Sequence, residues 1–311
     1  MSVRILFCGT GWLDIVPRIE AALSARGVDA RVSVRDAGLP LRDQLGDIDV
    51  VLPSNCRFGA DDLAAAPRLA LIQQPAVGHE GIDIAAARAR GVPVCNAPGS
   101  NTDSVAQAAL LLALALARRF RVAQTAFARG TIGSPLGMDL SGRTLGVVGM
   151  GRTGSRLAEI ARAIGMNVSS VGRTDGPDAL LALLGRADVV SLHAPLTERT
   201  KGLLDDRAFA TMKPGALLVN VARGGLVDRG ALERALASGR LGGVGLDVFW
   251  EEPWDPRDPL FARDDVVVLP HVAGSTEESF ARIADIVATN IAALVAHEPL
   301  VHRVDLQITS A

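Results

Sequence analysis

The chain has 311 residues, of which 49% are hydrophobic and 21% are charged, and its formal net charge is −2. This length exceeds what one hydrophobic core usually serves, so we expect two domains of ordinary globular composition. The nearly balanced charge gives no basis for binding a polyanion, which requires clustered Lys and Arg, and we predict no nucleic-acid partner.

Short β-rich runs alternate with longer stretches rich in Ala, Leu and Arg over most of the chain. This alternation is typical of βαβ units built around parallel sheets. The first series has a helical stretch at residues 14–26 and strand-like runs at residues 3–8, 30–34, 49–52, 69–73 and 93–95. The second series has strand-like runs at residues 144–148, 167–171, 188–192, 216–219, 243–246 and 266–269.

Two further helical segments indicate how the domains are organised. The segment at residues 102–129 lies between the two series and is predicted to be one long connecting helix. The segment at residues 276–297 is apolar on one face and is predicted to return to the first domain. We therefore predict an α/β fold of two doubly wound parallel-sheet domains. Residues 1–99 and 276–311 would form one domain, and residues 100–275 the other.

A glycine fingerprint follows the first strand of the second series. Gly149, Gly151 and Gly154 have the G-x-G-x-x-G spacing between that strand and a predicted helix at residues 155–164. Such glycines allow a tight turn, close approach of a pyrophosphate and close helix-to-strand packing, and the helix amino terminus attracts the phosphates. This context predicts a dinucleotide-binding domain. An earlier Gly9-Thr10-Gly11 lacks the third glycine, and we interpret it as a turn that binds no ligand.

The second strand of this series indicates which nicotinamide cofactor is used. In NAD enzymes that strand ends in an acid that binds the ribose hydroxyls. Here it ends in Gly172-Arg173-Thr174, with no acid at its tip. Arg173 can bind a 2′-phosphate through two hydrogen bonds and Thr174 can donate a third. The sequence thus favours NADP(H), while Asp175, one residue further on, keeps NAD(H) as the alternative.

Reduction of a keto group requires an acid at the oxygen, where negative charge develops, and a cation for a substrate carboxylate. Arg223 follows a strand, beside glycines that let a ligand approach, and its guanidinium suits a carboxylate. His271 follows another strand, at the edge where α/β sheets bind ligands. A nearby carboxylate favours the proton-donating imidazolium, and both Glu251 and Glu252 are candidates for it. His193 also ends a strand, which the ordinary strand order would place on the adenine side.

Many short motifs give the chain a family resemblance. They occur in order as Val77-Gly78, residues 96–101, residues 140–146, the glycine fingerprint, His193-Ala-Pro-Leu-Thr197, Asn220-Val-Ala-Arg223-Gly224, Leu246-Asp-Val-Phe249, Glu252-Pro253 and Pro270-His271. The chain resembles the D-2-hydroxyacid dehydrogenase family, which includes glyoxylate/hydroxypyruvate reductases and 3-phosphoglycerate dehydrogenases. The resemblance implies a Rossmann cofactor domain inserted into a flavodoxin-like substrate domain, usually in a homodimer.

The resemblance also implies roles for individual residues. Arg223 would bind the substrate carboxylate and keto oxygen, and His271 would be the acid/base with Glu252 as its partner. Asp247 would hold the nicotinamide carboxamide. Val77 and Gly78 would offer backbone N–H groups to the substrate carboxylate, with His79 beside them. The remaining cofactor contacts would come from Arg152, Thr153, Ala194, Pro195, Val221, Ala222 and Gly274, together with His271 itself.

Three positions depart from the family pattern. Gln107 replaces the usual Glu of a helix contact, so a contact between domains is expected to differ. His79 stands where an aromatic or small residue is commoner, beside the proposed carboxylate site, which would alter substrate choice. Ile132 replaces a tryptophan in a region linked to the dimer contact. We further expect hinges near residues 98–101 and 274–275.

The predicted function is NAD(P)H-dependent reduction of a small 2-keto acid of the glyoxylate or hydroxypyruvate type, and the reverse oxidation. A short-chain dehydrogenase mechanism is excluded because the sequence contains no tyrosine. A methyltransferase would not require the Arg, Glu and His at the ends of three later strands. The remaining alternative is a corepressor-like binding protein that uses this fold to sense the cofactor.

Cysteine usage and apolar runs indicate the compartment. None of the three cysteines, Cys8, Cys56 and Cys95, lies in a C-x-x-C pair, so neither a disulfide framework nor a metal site is predicted. The apolar run at the amino terminus ends too early for a secretory signal. The longest apolar stretch, at residues 105–117, is shorter than the ~20 residues that a membrane span requires. We therefore expect a cytoplasmic location and no membrane partner.

Overall fold

The computed structural model describes residues 2–306 and divides into two compact units. Among the described residues, the first unit comprises residues 2–101 and 275–306, and the second comprises residues 102–274. The second unit is therefore an insertion in the sequence of the first. These limits lie within two residues of the domain boundaries predicted from the sequence.

A five-stranded parallel sheet forms the centre of the first unit. Its strands are β1 (Val3–Phe7), β2 (Ala30–Val34), β3 (Val50–Leu52), β4 (Leu71–Gln73) and β5 (Val94–Cys95). They lie in the order β2-β1-β3-β4-β5, which is the flavodoxin-like order. The helices of this unit are α1 (Ile15–Ala25), α2 (Ala60–Ala65), α3 (Ile84–Ala89) and α11 (Glu277–Ala296).

Helix α11 belongs to the first unit, as its apolar face predicts. Val287 and Ile291 are fully buried in one core with Ile19 of α1. The helix begins after Thr276, whose hydroxyl accepts the Ser279 N–H, and it ends before a residue in the left-handed conformation. By length and composition alone α11 could cross a membrane, but a core helix passes the same test. Its buried face accounts for its apolar character.

The second unit is built around a six-stranded parallel sheet. Its strands are β6 (Thr144–Val148), β7 (Asn167–Val171), β8 (Val189–Leu192), β9 (Ala216–Asn220), β10 (Leu241–Leu246) and β11 (Val266–Val268). Its helices are α4 (Thr102–Ala117), α5 (Phe120–Ala128), α6 (Arg152–Ala163), α7 (Pro177–Arg186), α8 (Asp206–Thr211), α9 (Arg229–Ala237) and α10 (Pro259–Ala262). The strand order is β11-β10-β9-β8-β6-β7, and apolar cores cover both faces of the sheet.

The connecting segment differs from the prediction of one helix at residues 102–129. The structure has two helices, α4 and α5, because Arg119 takes the left-handed conformation with φ 48° and ψ 50°. Arg118 and Arg119 still bond back to Leu114 O and Leu116 O, so α4 ends in a tight turn before α5 starts. The apolar run ends at this charged pair, and both helices belong to the second unit.

The same aspartate contact occurs at the amino edge of both sheets. Asp49, directly before β3, donates its N–H to Arg4 O and accepts the Arg4 N–H on its carboxylate at 2.9 Å. Asp188, directly before β8, does the same with Thr144, whose N–H it accepts at 2.8 Å. Each aspartate thus holds the start of its own strand beside the start of the first strand of its sheet.

Candidate functional site in the second unit

The residues predicted to bind the cofactor and to perform the chemistry lie at one edge of the second sheet. Parallel strands all end at the same edge, and every one of these residues follows the carboxyl end of a strand or starts α6. After β6 come Gly149, Gly151, Arg152, Thr153 and Gly154; after β7, Arg173 and Thr174; after β8, Ala194 and Pro195; after β9, Val221, Ala222 and Arg223; after β10, Asp247 and Glu252; and after β11, His271 and Gly274.

The three fingerprint glycines have separate steric roles. A side chain on Gly154 would place its Cβ 2.0 Å from Gly149 O, so this glycine lets α6 pack closely on the strand. Gly149 has φ +99°, and a Cβ there would lie 2.7 Å from Ala194 N. Gly151, the N-cap of α6, has open space around it. This room in front of a helix amino terminus fits a dinucleotide pyrophosphate.

The tip of β7 differs from the sequence prediction that no acid lies there. Asp175 turns back and its carboxylate accepts the Gly172 N–H at 2.7 Å, directly after the strand. Arg173 and Thr174 are exposed in the same turn. The tip therefore carries a guanidinium and a hydroxyl, which suit a 2′-phosphate, and a carboxylate, which suits ribose hydroxyls.

His193 lies elsewhere in the sheet than the ordinary strand order predicts. Strand β8, which it follows, pairs with β6 on one side and β9 on the other, so His193 is central and does not lie on the adenine side, beyond β6. Its Nε2 lies 2.9 Å from Ser191 Oγ. Burial lowers the pKa of His193 from 6.5 to about 4, so its imidazole is neutral at physiological pH.

Glu252 and His271 form a direct pair. Glu252 Oε2 lies 2.6 Å from His271 Nδ1, and its other oxygen accepts the Phe249 N–H at 3.1 Å. The two side chains keep 32% and 33% of their surfaces exposed, so a ligand can reach the imidazole. Glu251, the rival in the sequence, is exposed and makes no such contact with the histidine.

The charge state of Glu252 suits a partner of an imidazolium. Burial acts to raise the pKa of Glu252, but the hydrogen bond and charge of His271, the Phe249 N–H and the charge of Arg223 outweigh it and hold the pKa below its ordinary value. Glu252 is therefore a carboxylate at neutral pH, and it can accept a hydrogen bond from His271 Nδ1.

Arg223 is held by a residue that sequence reasoning did not single out. Asn220 is fully buried at the end of β9; its Nδ2 donates to Arg223 O at 2.9 Å and its Oδ1 accepts the Ala222 N–H at 3.1 Å. A polar side chain that ends an otherwise apolar strand was the available signal. Asn220 thus fixes the turn that presents the guanidinium at the sheet edge.

The turns that carry Arg223 and Glu252 touch each other. A Cβ on Gly224 would lie 2.2 Å from the carbonyl carbon and oxygen of Phe249, so glycine alone permits this approach of the two backbones. Nearby, Trp250 donates its ring N–H to Val227 O at 2.7 Å. The guanidinium and the carboxylate–imidazole pair are therefore held on one packed set of loops.

Asp247 fixes the turn that carries His271. Its two carboxylate oxygens accept the N–H groups of Val272 and Ala273 at 2.8 and 3.0 Å. It is almost fully buried, and burial raises its pKa to about 6 against the opposing effect of these N–H groups. Each carboxylate oxygen can accept a second hydrogen bond, so Asp247 could also bind a nicotinamide carboxamide. That predicted contact stays a prediction.

The remaining predicted residues belong to the first unit. Val77, Gly78 and His79 form part of the loop after β4, and all three are partly exposed. His79 Nδ1 lies 3.5 Å from Val77 O. Their predicted contact with a substrate carboxylate stays a prediction. Within residues 2–306, no group of three or more His, Cys, Asp or Glu could hold a metal ion.

Comparisons with known proteins identify the family of the chain. A family model described as D-isomer specific 2-hydroxyacid dehydrogenase, NAD binding domain, matches residues 110–273. The glyoxylate reductase of Korarchaeum cryptofilum (strain OPF8) is 41% identical over 250 residues, which is 75% of this chain and 75% of that protein.

Two crystal structures share the fold over almost the whole chain. One is an NADPH-dependent glyoxylate/hydroxypyruvate reductase from Sinorhizobium meliloti, solved with NADP and malonate, with a TM-score of 0.84 at 29% identity over 98% of this chain and 97% of that one. The other is a D-lactate dehydrogenase from Aquifex aeolicus, solved with NAD and lactic acid, with a TM-score of 0.83 at 28% identity over 98% of this chain and 100% of that one.

The fold and the site define an oxidoreductase that binds a nicotinamide cofactor in a Rossmann domain. The chain belongs to the D-isomer specific 2-hydroxyacid dehydrogenase family, as the sequence motifs predicted. Members of this family act on small 2-hydroxy and 2-keto acids. Both sheets have the parallel α/β architecture that this family implies.

Proposed function

We propose that the protein reduces a small 2-keto acid of the glyoxylate or hydroxypyruvate type to the D-2-hydroxy acid, and catalyses the reverse oxidation. The observation that carries this proposal is the 2.6 Å contact between Glu252 and His271, with the charge of Arg223 acting on the same carboxylate. An acid, its charged partner and a cation at one sheet edge are the groups that ketone reduction requires.

The nicotinamide supplies the hydride when it is bound. His271, oriented by its contact with Glu252, donates a proton to the keto oxygen, and in the oxidation direction it accepts that proton. Arg223 binds the substrate carboxylate and stabilises the negative charge that develops on the oxygen. Burial acts to raise the pKa of Glu252, but the neighbouring imidazole and guanidinium lower it further, so Glu252 is ionised when His271 donates.

The substrate assignment is tested with purified protein and a panel of 2-keto acids. We expect NADPH oxidation with glyoxylate and hydroxypyruvate, and about 100-fold lower kcat for His271→Ala. Arg223→Ala should raise the KM of the keto acid as well. If the wild-type protein binds the cofactor but oxidises no NADPH with any acid of the panel, a cofactor-sensing, corepressor-like role is favoured instead.

For the cofactor we propose that NADP(H) is favoured and NAD(H) is also used. Arg173 and Thr174 are exposed at the tip of β7, where they can bind a 2′-phosphate. Asp175 holds a carboxylate beside them at 2.7 Å from Gly172 N and limits that preference by repulsion. Arg173→Ala should weaken NADPH binding about tenfold and leave NADH binding unchanged in a fluorescence titration. Asp175→Asn should strengthen NADPH binding, and equal effects on both cofactors would contradict the assignment.

We also propose that the protein is a homodimer assembled through the second unit. Phe127, Ile132 and Leu136 are 83%, 98% and 87% exposed, although they are large and apolar. Such side chains on one short segment are typical of a contact with another protein surface. The first unit, with the loop of residues 77–79, is proposed to be the substrate domain.

A further inference from the structure

Two buried amide side chains bind successive carbonyl groups of the loop after β4. Asn96 Nδ2 donates to Val77 O at 2.8 Å, and Gln74 Nε2 donates to Gly78 O at 2.8 Å. Asn96 and Gln74 are only 7% and 5% exposed. Hydrogen bonds in such a dry environment hold the two peptide planes firmly.

The neighbouring carbonyl is bound as well. Ala76 O accepts the Ala97 N–H at 2.9 Å. In a trans peptide the N–H of each residue points away from the C=O of the residue before it. The three bound carbonyls therefore direct the N–H groups of Val77, Gly78 and His79 away from these partners. None of the three N–H groups donates a hydrogen bond within residues 2–306.

The hydrogen bonds of Gln74 indicate that its amide N–H group, and not its amide oxygen, binds the loop. Its Nε2 donates to Ser54 O at 3.0 Å as well as to Gly78 O, so both N–H bonds are occupied. Its Oε1 is buried and has no partner in the part of the chain that the structure describes. The opposite amide orientation would direct an oxygen at two carbonyl oxygens. The fold thus leaves a buried acceptor unpaired to keep this donor in place.

We infer that Gln74 and Asn96 are positioning residues that hold the N–H groups of residues 77–79 in the arrangement that binds a substrate carboxylate. Successive backbone N–H groups that point the same way bind anions, and their hydrogen bonds to a carboxylate are strengthened by its charge. This inference rests on the proposed function, because it assumes a 2-keto acid as the ligand.

The test uses two neutral substitutions of similar size, Gln74→Met and Asn96→Leu. Each should raise the KM of a 2-keto acid about tenfold, because one donor of the carboxylate is misdirected. The kcat should change less than about threefold, and the Kd for NADPH should not change. For the uncharged methyl ester of the same keto acid, the KM should change little in both variants. Asn55→Leu is the matched control. Asn55, in the loop after β3, has side-chain hydrogen bonds only to Thr10 within the described residues, and the KM of this variant should equal that of the wild type.

The possible results separate the inference from the proposed function. An unchanged KM in both folded variants, or an equal loss for the acid and its ester, would overturn the positioning role alone. Reduction of no 2-keto acid by the wild-type protein would overturn the proposed function and the inference with it. Circular dichroism melting and NADPH titration of each variant show that it is folded, and Asn96→Leu replaces Gln74→Met if the latter does not fold.

Discussion

His271 takes an unusual backbone conformation for a histidine, with φ 54°, in the turn after β11. The Asp247 carboxylate binds the next two N–H groups, and the His271 N–H itself donates to Leu269 O at 3.0 Å. These contacts hold a conformation that side-chain-bearing residues seldom adopt. The imidazole is thereby directed at Glu252, and its direction depends on the buried carboxylate of Asp247.

Glu252 and Glu251 form a matched pair for testing the acid/base assignment. Glu252→Gln removes the carboxylate that lies 2.6 Å from His271 Nδ1, so kcat for reduction should fall about tenfold or more. Glu251→Gln makes the same change on an exposed neighbour and should leave kcat unaltered. Similar losses in the two variants, measured by steady-state NADPH oxidation, would contradict the assignment.

His193 gives a pH dependence of stability with a defined sign. Burial lowers its pKa from 6.5 to about 4, so between these values the unfolded chain binds a proton that the folded chain does not. Stability contributed by the neutral histidine is therefore present above pH 6.5 and lost as the pH falls towards 4. Between pH 8 and pH 5, the free energy of unfolding of His193→Gln in urea should fall by about 2 kcal/mol less than that of the wild type. The pH 8 measurement isolates the effect of the substitution itself, and parallel curves would contradict the prediction.

At the scale of single elements, strands were easier to predict than their arrangement. The strands β6 and β7 have their predicted bounds because each contains β-branched residues and is followed directly by a glycine, Gly149 or Gly172. The break at Arg119 was missed because no Gly, Asn or Pro marks it. The central place of His193 was missed because strand order depends on which strands pair, which periodicity does not reveal.

The site shows the same limit. The steric roles of the glycines could be predicted because they follow from local geometry, whereas the role of Arg223 stays a prediction. The choice between Glu251 and Glu252 came only from the family resemblance, since both follow the same strand. Asp175 was given too little weight because its carboxylate reaches the strand tip through a turn, and Asn220 was missed because its partners are backbone groups.

The paired aspartates predict how each sheet is held at its amino edge. Burial acts to raise the pKa of Asp188, but the Thr144 N–H and Lys213 outweigh it and keep the carboxylate ionised. Asp188→Ala leaves the Thr144 N–H unpaired and should lower the free energy of unfolding by about 2 kcal/mol. Hydrogen exchange should increase in β6 and β8 while β1 and β3 keep their protection.

The control for this substitution is Asp206→Ala. Asp206 and Arg234 form a surface ion pair with 69% and 63% of their side chains exposed, so its loss should lower the free energy of unfolding much less than Asp188→Ala does. Equal losses in urea unfolding for the two aspartates would show that the contact at the sheet edge adds nothing beyond an exposed charge pair.

At the scale of the whole molecule, the exposed apolar segment of the second unit predicts the assembly. Ile132→Asp places a charge on a side chain that is 98% exposed here and that a dimer contact would bury. We expect a monomer by sedimentation equilibrium, with the secondary structure retained. Leu39→Asp, at a side chain of the first unit that is 51% exposed, is the control and should stay dimeric. A monomeric wild-type protein would contradict the proposed assembly.

The insertion of one unit within the other has a consequence for biosynthesis. Residues 102–274 are contiguous, so the second unit can fold as soon as that stretch has left the ribosome. The first 101 residues emerge earlier but lack α11, whose buried face completes their core. Residues 2–101 therefore complete their core only after residues 277–296 have been translated, and the apolar surface that α11 covers is open to aggregation until then.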